Sequence, residues 1–455
     1  AGYCEHTDVQ YGKVVDELER QGILDNTLIF YLGNDNGASA EGMEGSISEL
    51  LSQNGIATDV ADHIEIMNRD YGGLNSLGGP LMESMYHHGW AWAGDTPFKS
   101  TKLVAAHFGG TRCPLVVSWP DKIKPDSEPR PQFHHVIDIA ATIYDVLDIE
   151  PPRHFNGVEQ QAIDGSSMVP SFSDTEVNDE SLVQYFEIMG SRGIYREGWF
   201  AGTFGPRVPW SSDMSGLIDW NPDTDPWELY DLTKDYSQAH DLADEMPEKL
   251  AAMKDEYTRQ AQDNSVFPTG GGLYTVFYHP EELRASSLTE WTFFEGQNRI
   301  AEANAPKFAS GFSTLATIDA DVPEGADGVL YCVGGLSGGF TVYMDEGVLR
   351  AEYNMLGFER YKVASEGPIS TGQVQILVEV KFDEKAPQAP ATITLTVDGN
   401  EVGKGRVDRS VPAIFTAAET FDIGMDLGSP VALDYYGRTP FEFTGTIDKI
   451  HIAYI

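Results

Sequence analysis

The 455-residue chain carries 30 Lys and Arg against 71 Asp and Glu, a formal charge of −41, with 41% hydrophobic and 11% aromatic residues. That is a globular composition of about three domains' length, and its acidity excludes phosphate backbones and anionic lipid as partners. No run approaches the ~18 apolar residues of a spanning helix. Three dispersed cysteines give neither a disulfide framework nor a paired zinc spacing.

Cys4, Asp8, Tyr11, Val15 and Leu18 follow i, i+3/i+4 steps, so a helix is running by about residue 5 and stops at Gly22. The apolar run Thr27–Leu32 follows, short and unbroken, as in a strand buried on both faces of a parallel sheet. A domain that opens inside a helix is expected to have lost its beginning. Next come Asp35-Asn36-Gly37 and a long Gly-, Asn- and Ser-rich segment to about residue 95, amphipathic near 46–66. Thr96-Pro97 begins a new element, with Lys99, Lys102 and Val104 to His107 predicted as helix. Gly109-Gly110 breaks it, and Leu115 to Trp119 is a second buried strand. His134 to Leu147 is a strongly periodic helix.

From Leu182 the texture changes to antiparallel strands (182–188, 193–195 with 199–203, and 227–232) under a helix from Pro247 to Gln262. Thr269-Gly270-Gly271-Gly272 is the best linker. Beyond it short period-two runs separated by turns predict a β-sandwich, with Asp398-Gly399-Asn400 as a tight hairpin. The expected domains are therefore 1–178, 179–268 and 273–455.

Asp35-Asn36, at the end of a buried strand, offers two hard oxygen donors of the kind Ca²⁺ or Mg²⁺ prefers. Ordinary turn chemistry explains the same letters, and two donors do not fill a shell of about six. Lys99, Lys102, His107 and Arg112 fall within a short stretch of a base-poor chain. They could neutralise a tetrahedral oxyanion, or merely complement a helix end. His87-His88-Gly89-Trp90-Ala91-Trp92 is either an aromatic wall for a substrate ring or a loop pinned by buried rings. Tyr353, Phe358, Tyr435 and Tyr436 are candidates for sugar stacking or, more simply, core. Cys113 and Cys332 have the setting of small buried hydrophobes.

These pieces, in this order, resemble the C-terminal part of a bacterial type I sulfatase, an arylsulfatase of the alkaline-phosphatase-like superfamily. The matching stretches are Gly22–Ile29, Asp35-Asn36-Gly37, Thr96-Pro97-Phe98 with Lys102, His107–Arg112, Trp119-Pro120, His135–Ala140, Asp164–Ser167 and Trp227–Leu232. The resemblance implies an α/β fold: an incomplete alkaline-phosphatase-like mixed sheet with helices, an α+β subdomain, and an appended jelly-roll or lectin-like sandwich of the concanavalin or laminin-G kind. It implies a sulfuric ester hydrolase acting on a small-molecule or glycan sulfate ester, periplasmic or secreted. Asp35 and Asn36 would be ligands of Ca²⁺ (or Mg²⁺), and Lys102 and, more weakly, His107 would contact the sulfate.

The family's formylglycine arises from Cys/Ser-x-Pro-x-Arg, and none of Cys4, Cys113 or Cys332 starts that pattern. Its first metal ligands are an Asp-Asp pair, and the chain has no consecutive aspartates. The chain is therefore expected to be an inactive fragment without nucleophile or acid–base pair. A phosphodiesterase or phosphonate hydrolase of the same superfamily, or a non-catalytic glycan-binding protein, are the alternative readings. The sequence fixes no oligomeric state.

Overall fold

A computed structural model describes all residues except 1, 46, 49, 83, 86, 127, 174–181, 214, 218–219, 271–287 and 417, and the side chain of 52. Gly271-Gly272 and the expected boundary at 178–179 lie outside the described residues.

The chain opens with the helix Gly2–Arg20, none of whose residues is buried. The strand Ile29–Leu32 pairs with Leu115–Ser118 in antiparallel register, Ile29 opposite Ser118 and Leu32 opposite Leu115. This corrects the expectation of a parallel, doubly buried strand. Among the described residues the two form a two-stranded sheet, so their outer edges and faces stay half-exposed. The helix Asp138–Leu147 forms where its periodicity predicts, but it buries Asp138 and Thr142 while Ile143 and Leu147 stay exposed. The polar face is held because Asp138 accepts from the amides of His135 and Ser166, and Thr142 accepts from that of Met168.

Four antiparallel strands follow in sequence order: Val183–Ile188, Ser191–Arg196, Trp199–Thr203 and Glu228–Asp231. Alternation sorts their side chains onto two faces. Ile194, Ala201 and Leu229 meet Met253, Tyr257 and Ala261 of the helix Pro247–Asp263. Phe200 and Tyr230 point the other way, onto Phe108. The small sheet therefore gives one face to its helix and the other to the turn that carries the candidate basic residues.

The C-terminal region is a sandwich of two six-stranded antiparallel sheets. Thr314–Val322 runs between Gly372–Phe382 and Thr446–Tyr454 in one sheet, and Gly328–Gly335 pairs with Gly338–Asp345 in the other. Asp398 and Gly399, both with positive φ, close the predicted hairpin. Tyr353, Phe358 and Tyr435 are buried, and the Tyr436 hydroxyl donates to the carbonyl of Pro80.

The segment after Asp35 is more than a loop. Met43, Ile47, Leu50, Leu51, Ile56, Ile66, Met67, Tyr71 and Met82 belong to the same apolar core as the sandwich strands. Asn54 clamps the contact: its Nδ2 donates to the carbonyls of Leu50 and Ile414, and its Oδ1 accepts from the amides of Ala413 and Ile414. Tyr71 donates to Gly357 and Arg69 to Phe358, both at backbone oxygens. No helix among the described residues is long and apolar enough to cross a membrane.

Candidate active site

Asp35 and Asn36 sit on a short bend stitched at both ends to the run 109–114. Gly33 donates to the carbonyl of Pro114 and Gly37 to that of Gly110, each at 3.0 Å. A Cβ on Gly37 would lie 1.6 Å from the Gly109 oxygen, so the close approach demands glycine. Asp35 is exposed and Asn36 half-buried. Asp95, at the end of the helix His88–Asp95, ties in alongside: its Oδ1 accepts from the Ala38 amide at 3.0 Å. Burial pushes the Asp95 carboxyl upward against that bond, and its Oδ2 is enclosed without a partner among the described residues.

Lys102 reaches the same bend, its amide donating to the Ala38 carbonyl at 3.1 Å. The turn from Lys99 to His107 is not the helix its sequence suggests. Ser100 and Leu103 adopt positive φ of 67° and 75°, a costly conformation for side chains of this kind. Thr101, Val104, Ala105 and Ala106 are buried instead of lining one helix face. The small sheet overrides helix propensity here: Ser191 Oγ and the Gln238 amide group take the Ala106 backbone groups, and Gln238 Oε1 accepts from the Phe108 amide. Gly109 and Gly110 do not break a helix but lie in one, Phe108–Thr111, where a Cβ would strike the carbonyls of Ser100 and Val104 at 2.2 Å.

The structure distributes the four basic residues unequally. The Lys102 ammonium, one-third exposed, lies 3.2 Å from the buried carboxylate of Glu41. The buried Arg207, whose guanidinium donates to the carbonyls of Val208 and Ser211, also feels the Glu41 charge. Arg112 lies over the rings of Phe98, Phe108 and Tyr236. Lys99 and His107 converge on Glu228. Lys99 donates to the Tyr230 hydroxyl at 2.6 Å and approaches Glu228 at 3.4 Å.

His107 is buried, its Nδ1 2.6 Å from Ser100 Oγ and its Nε2 2.7 Å from Glu228. Burial pushes the His107 pKa down, with the Glu228 bond opposing. A neutral ring donating from Nε2 and accepting the Ser100 hydroxyl at Nδ1 satisfies both contacts. Burial would raise the Glu228 carboxyl, but the bonds from His107 and Tyr230 and the charge of Lys99 bring it down to about 2. Glu228 and Ser100 escaped the sequence reading. Glu228 stands inside Trp227–Leu232, but no spacing rule links it to residue 107.

Beside this turn lies an aromatic run. Trp92 meets Trp210 at 5.1 Å between ring centroids, Trp210 meets Phe204 at 5.8 Å, and Phe204 meets His107 at 5.8 Å.

The donor chemistry of Asp35 and Asn36, carboxylate and amide oxygen, suits a hard divalent cation in kind, yet covers two of roughly six positions. Among the described residues no three His, Cys, Asp or Glu gather into a metal site. The fit is therefore partial.

Residues 2–149 match the family model described as Sulfatase, and residues 107–263 the model for the C-terminal part of N-sulphoglucosamine sulphohydrolase. These stretches are similar to sulfatases. Over 252 residues the chain is 28% identical to an uncharacterized sulfatase of Schizosaccharomyces pombe, covering 55% of this chain and 40% of that one. The chain thus spans less than half the length of that relative. Similar solved structures include one from a glycosaminoglycan-metabolism locus of Bacteroides thetaiotaomicron (18% identity, TM-score 0.34, 56% of this chain and 42% of that one). Another is Ps i-CgsB in complex with k-i-k-neocarrahexaose (18%, 0.36, 61% and 47%). A third is mouse laminin α1 LG4-5 (16%, 0.26, 37% and 42%). Both overlapping matches contain the turn His107–Arg112.

Proposed function

We propose that the sulfatase-like part of the chain takes part in hydrolysing a sulfate monoester of the arylsulfatase kind, with Lys102 as a sulfate contact and Asp35 and Asn36 as ligands of Ca²⁺ or Mg²⁺. The observation that supports this reading is the backbone of Ala38. It bonds the Lys102 amide on one side and follows Asp35-Asn36 by two residues, so the backbone of Lys102 and the two oxygen-bearing residues belong to one bend, with the Lys102 ammonium beside Glu41. A cation bound there would polarise the sulfate oxygens as charge develops. Lys102 would neutralise the same anion as a point charge, oriented by Glu41.

In this reading His107 shapes the turn, since both ring nitrogens are engaged by Ser100 and Glu228. Its contribution to sulfate binding runs through the backbone that presents Lys102. The 455 residues contain no Cys/Ser-x-Pro-x-Arg, so the formylglycine nucleophile is not among them. Accordingly, 4-nitrophenyl sulfate should not be turned over by this chain alone, and turnover would contradict the assignment of roles. Calcium titration tests the cation half. Wild type should bind Ca²⁺, weakly, and Asp35→Ala should lose that binding; equal isotherms would refute the ligand role.

A further inference from the structure

Resting on that reading, we propose that the cleft formed by His88, Gly89, Trp92 and Trp210 seats the aryl ring of the sulfate ester. The cleft holds ≈ 400 Å³, within the roughly 300–1,000 Å³ range of small-molecule sites. Its position follows from the helix His88–Asp95, which places His88, Trp92 and Asp95 at i, i+4 and i+7 on one face. Both ends of that face are pinned to one stretch of chain. The His88 amide donates to the Met43 carbonyl at 2.5 Å, and Asp95 accepts from Ala38 at 3.0 Å. Between those anchors lies Glu41, the partner of the Lys102 ammonium. The opposite wall, Trp210, belongs to the loop that carries Arg207, which feels the same Glu41 charge. The cleft and the proposed sulfate contact are thus built on the same few residues, 38 to 43.

The lining selects the chemistry. Trp92 and Trp210 meet at 75°, presenting a corner of one ring face and one ring edge. Trp92 is 41% exposed, leaving an indole surface that a stacked ring would cover. Among the described residues the lining holds no hydroxyl, amide or carboxylate side chain, and His88 Nδ1 is shielded from solvent without a partner. A pyranose would bring hydroxyls with few groups to bond them, whereas an aryl ring brings none. The seat therefore fits a phenolic leaving group.

The test separates ring from sulfate. 4-Methylphenol, inorganic sulfate and a methyl pyranoside are titrated separately into the whole chain by calorimetry. The phenol should bind wild type and lose roughly three- to tenfold in affinity in Trp92→Ala and in Trp210→Ala. Trp92→Phe, which keeps an aromatic face, should stay within about twofold of wild type on the same scale and guards against a folding defect in the alanine variant. Lys102→Ala should bind the phenol as wild type does. No binding of the phenol, wild-type affinity in both Trp92→Ala and Trp210→Ala, or tryptophan-dependent binding of the pyranoside in its place would overturn the ring seat. Sulfate affinity unchanged in Lys102→Ala would overturn the sulfate reading alone, and is read from a different titration.

Discussion

Glu41 holds the Lys102 ammonium 3.2 Å from its buried carboxylate, and two residues farther along the same chain Met43 enters the core of the β-sandwich. The sandwich is thus joined to the candidate site through the backbone of residues 41–43 as well as through the chain that follows the small sheet. Replacing Glu41 by Gln removes the counter-charge of Lys102 and of the buried Arg207. Since Lys102 is one-third exposed, the loss should be moderated by solvent, to about 1–3 kcal/mol. A urea unfolding midpoint unchanged in Glu41→Gln would show that the pair carries no load.

Asn54 offers a sharper test of the docking. Asn54→Ala leaves the amides of Ala413 and Ile414 and the carbonyl of Ile414 without their side-chain partner. These groups are part-buried, so water can replace some of the bonds, and a loss of about 1–3 kcal/mol in denaturant unfolding is expected. An effect below about 0.5 kcal/mol, the usual size for a surface change, would contradict the clamp.

Acid should loosen the joint between the basic turn and the small sheet. Burial favours neutral His107 in the folded state, so its contribution is present above the unfolded pKa of about 6.5 and is lost as pH falls through the lower folded value. Glu228, brought down from 4.5 to about 2, adds a second loss only as pH falls below about 4.5. Hydrogen exchange of the Ala106 and Phe108 amides, corrected for intrinsic rates, should accelerate between pH 7 and pH 5. Constant protection would contradict the network.

The sandwich should respond in the opposite sense. Asp426, 1% exposed, accepts from the Val431 amide and the Tyr435 hydroxyl while its Oδ1 has no partner among the described residues. Burial raises its pKa to about 6, opposed by those bonds and reinforced by Asp422 and Glu419. A raised carboxyl contributes stability fully below its unfolded pKa, and that stability is lost as pH rises toward 6, on the order of 2–3 kcal/mol. Asp426→Asn should flatten stability between pH 4 and pH 6. A slope equal to wild type would rule out Asp426 as its source.

How much of this was legible depended on whether one element or several determined the outcome. The helix Pro247–Asp263 and the sandwich strands followed their own periodicity, so their sequence was sufficient. The turn Lys99–His107 did not, because Ser191 and Gln238, far along the chain, claim its backbone groups. The helix Asp138–Leu147 was legible as a helix and not in its packing, since the loop around Ser166 rewards its polar face. Asp35, Asn36 and Lys102 could be named from a motif, and the Lys102 amide bonds to Ala38, two residues beyond Asn36. Glu41 and Glu228 could not, as each reaches its partner only through the tertiary fold. The apolar residues between Met43 and Met82 were the missed signal: too many for a solvent loop, and they are core.

The most direct test of the account is the affinity of the chain for inorganic sulfate, with and without Ca²⁺, in wild type and in Lys102→Ala. Wild type should bind sulfate, more tightly when Ca²⁺ is present, and Lys102→Ala should lose about tenfold, the equivalent of roughly 1.4 kcal/mol. Sulfate binding that is indifferent to both the cation and Lys102 would contradict the account.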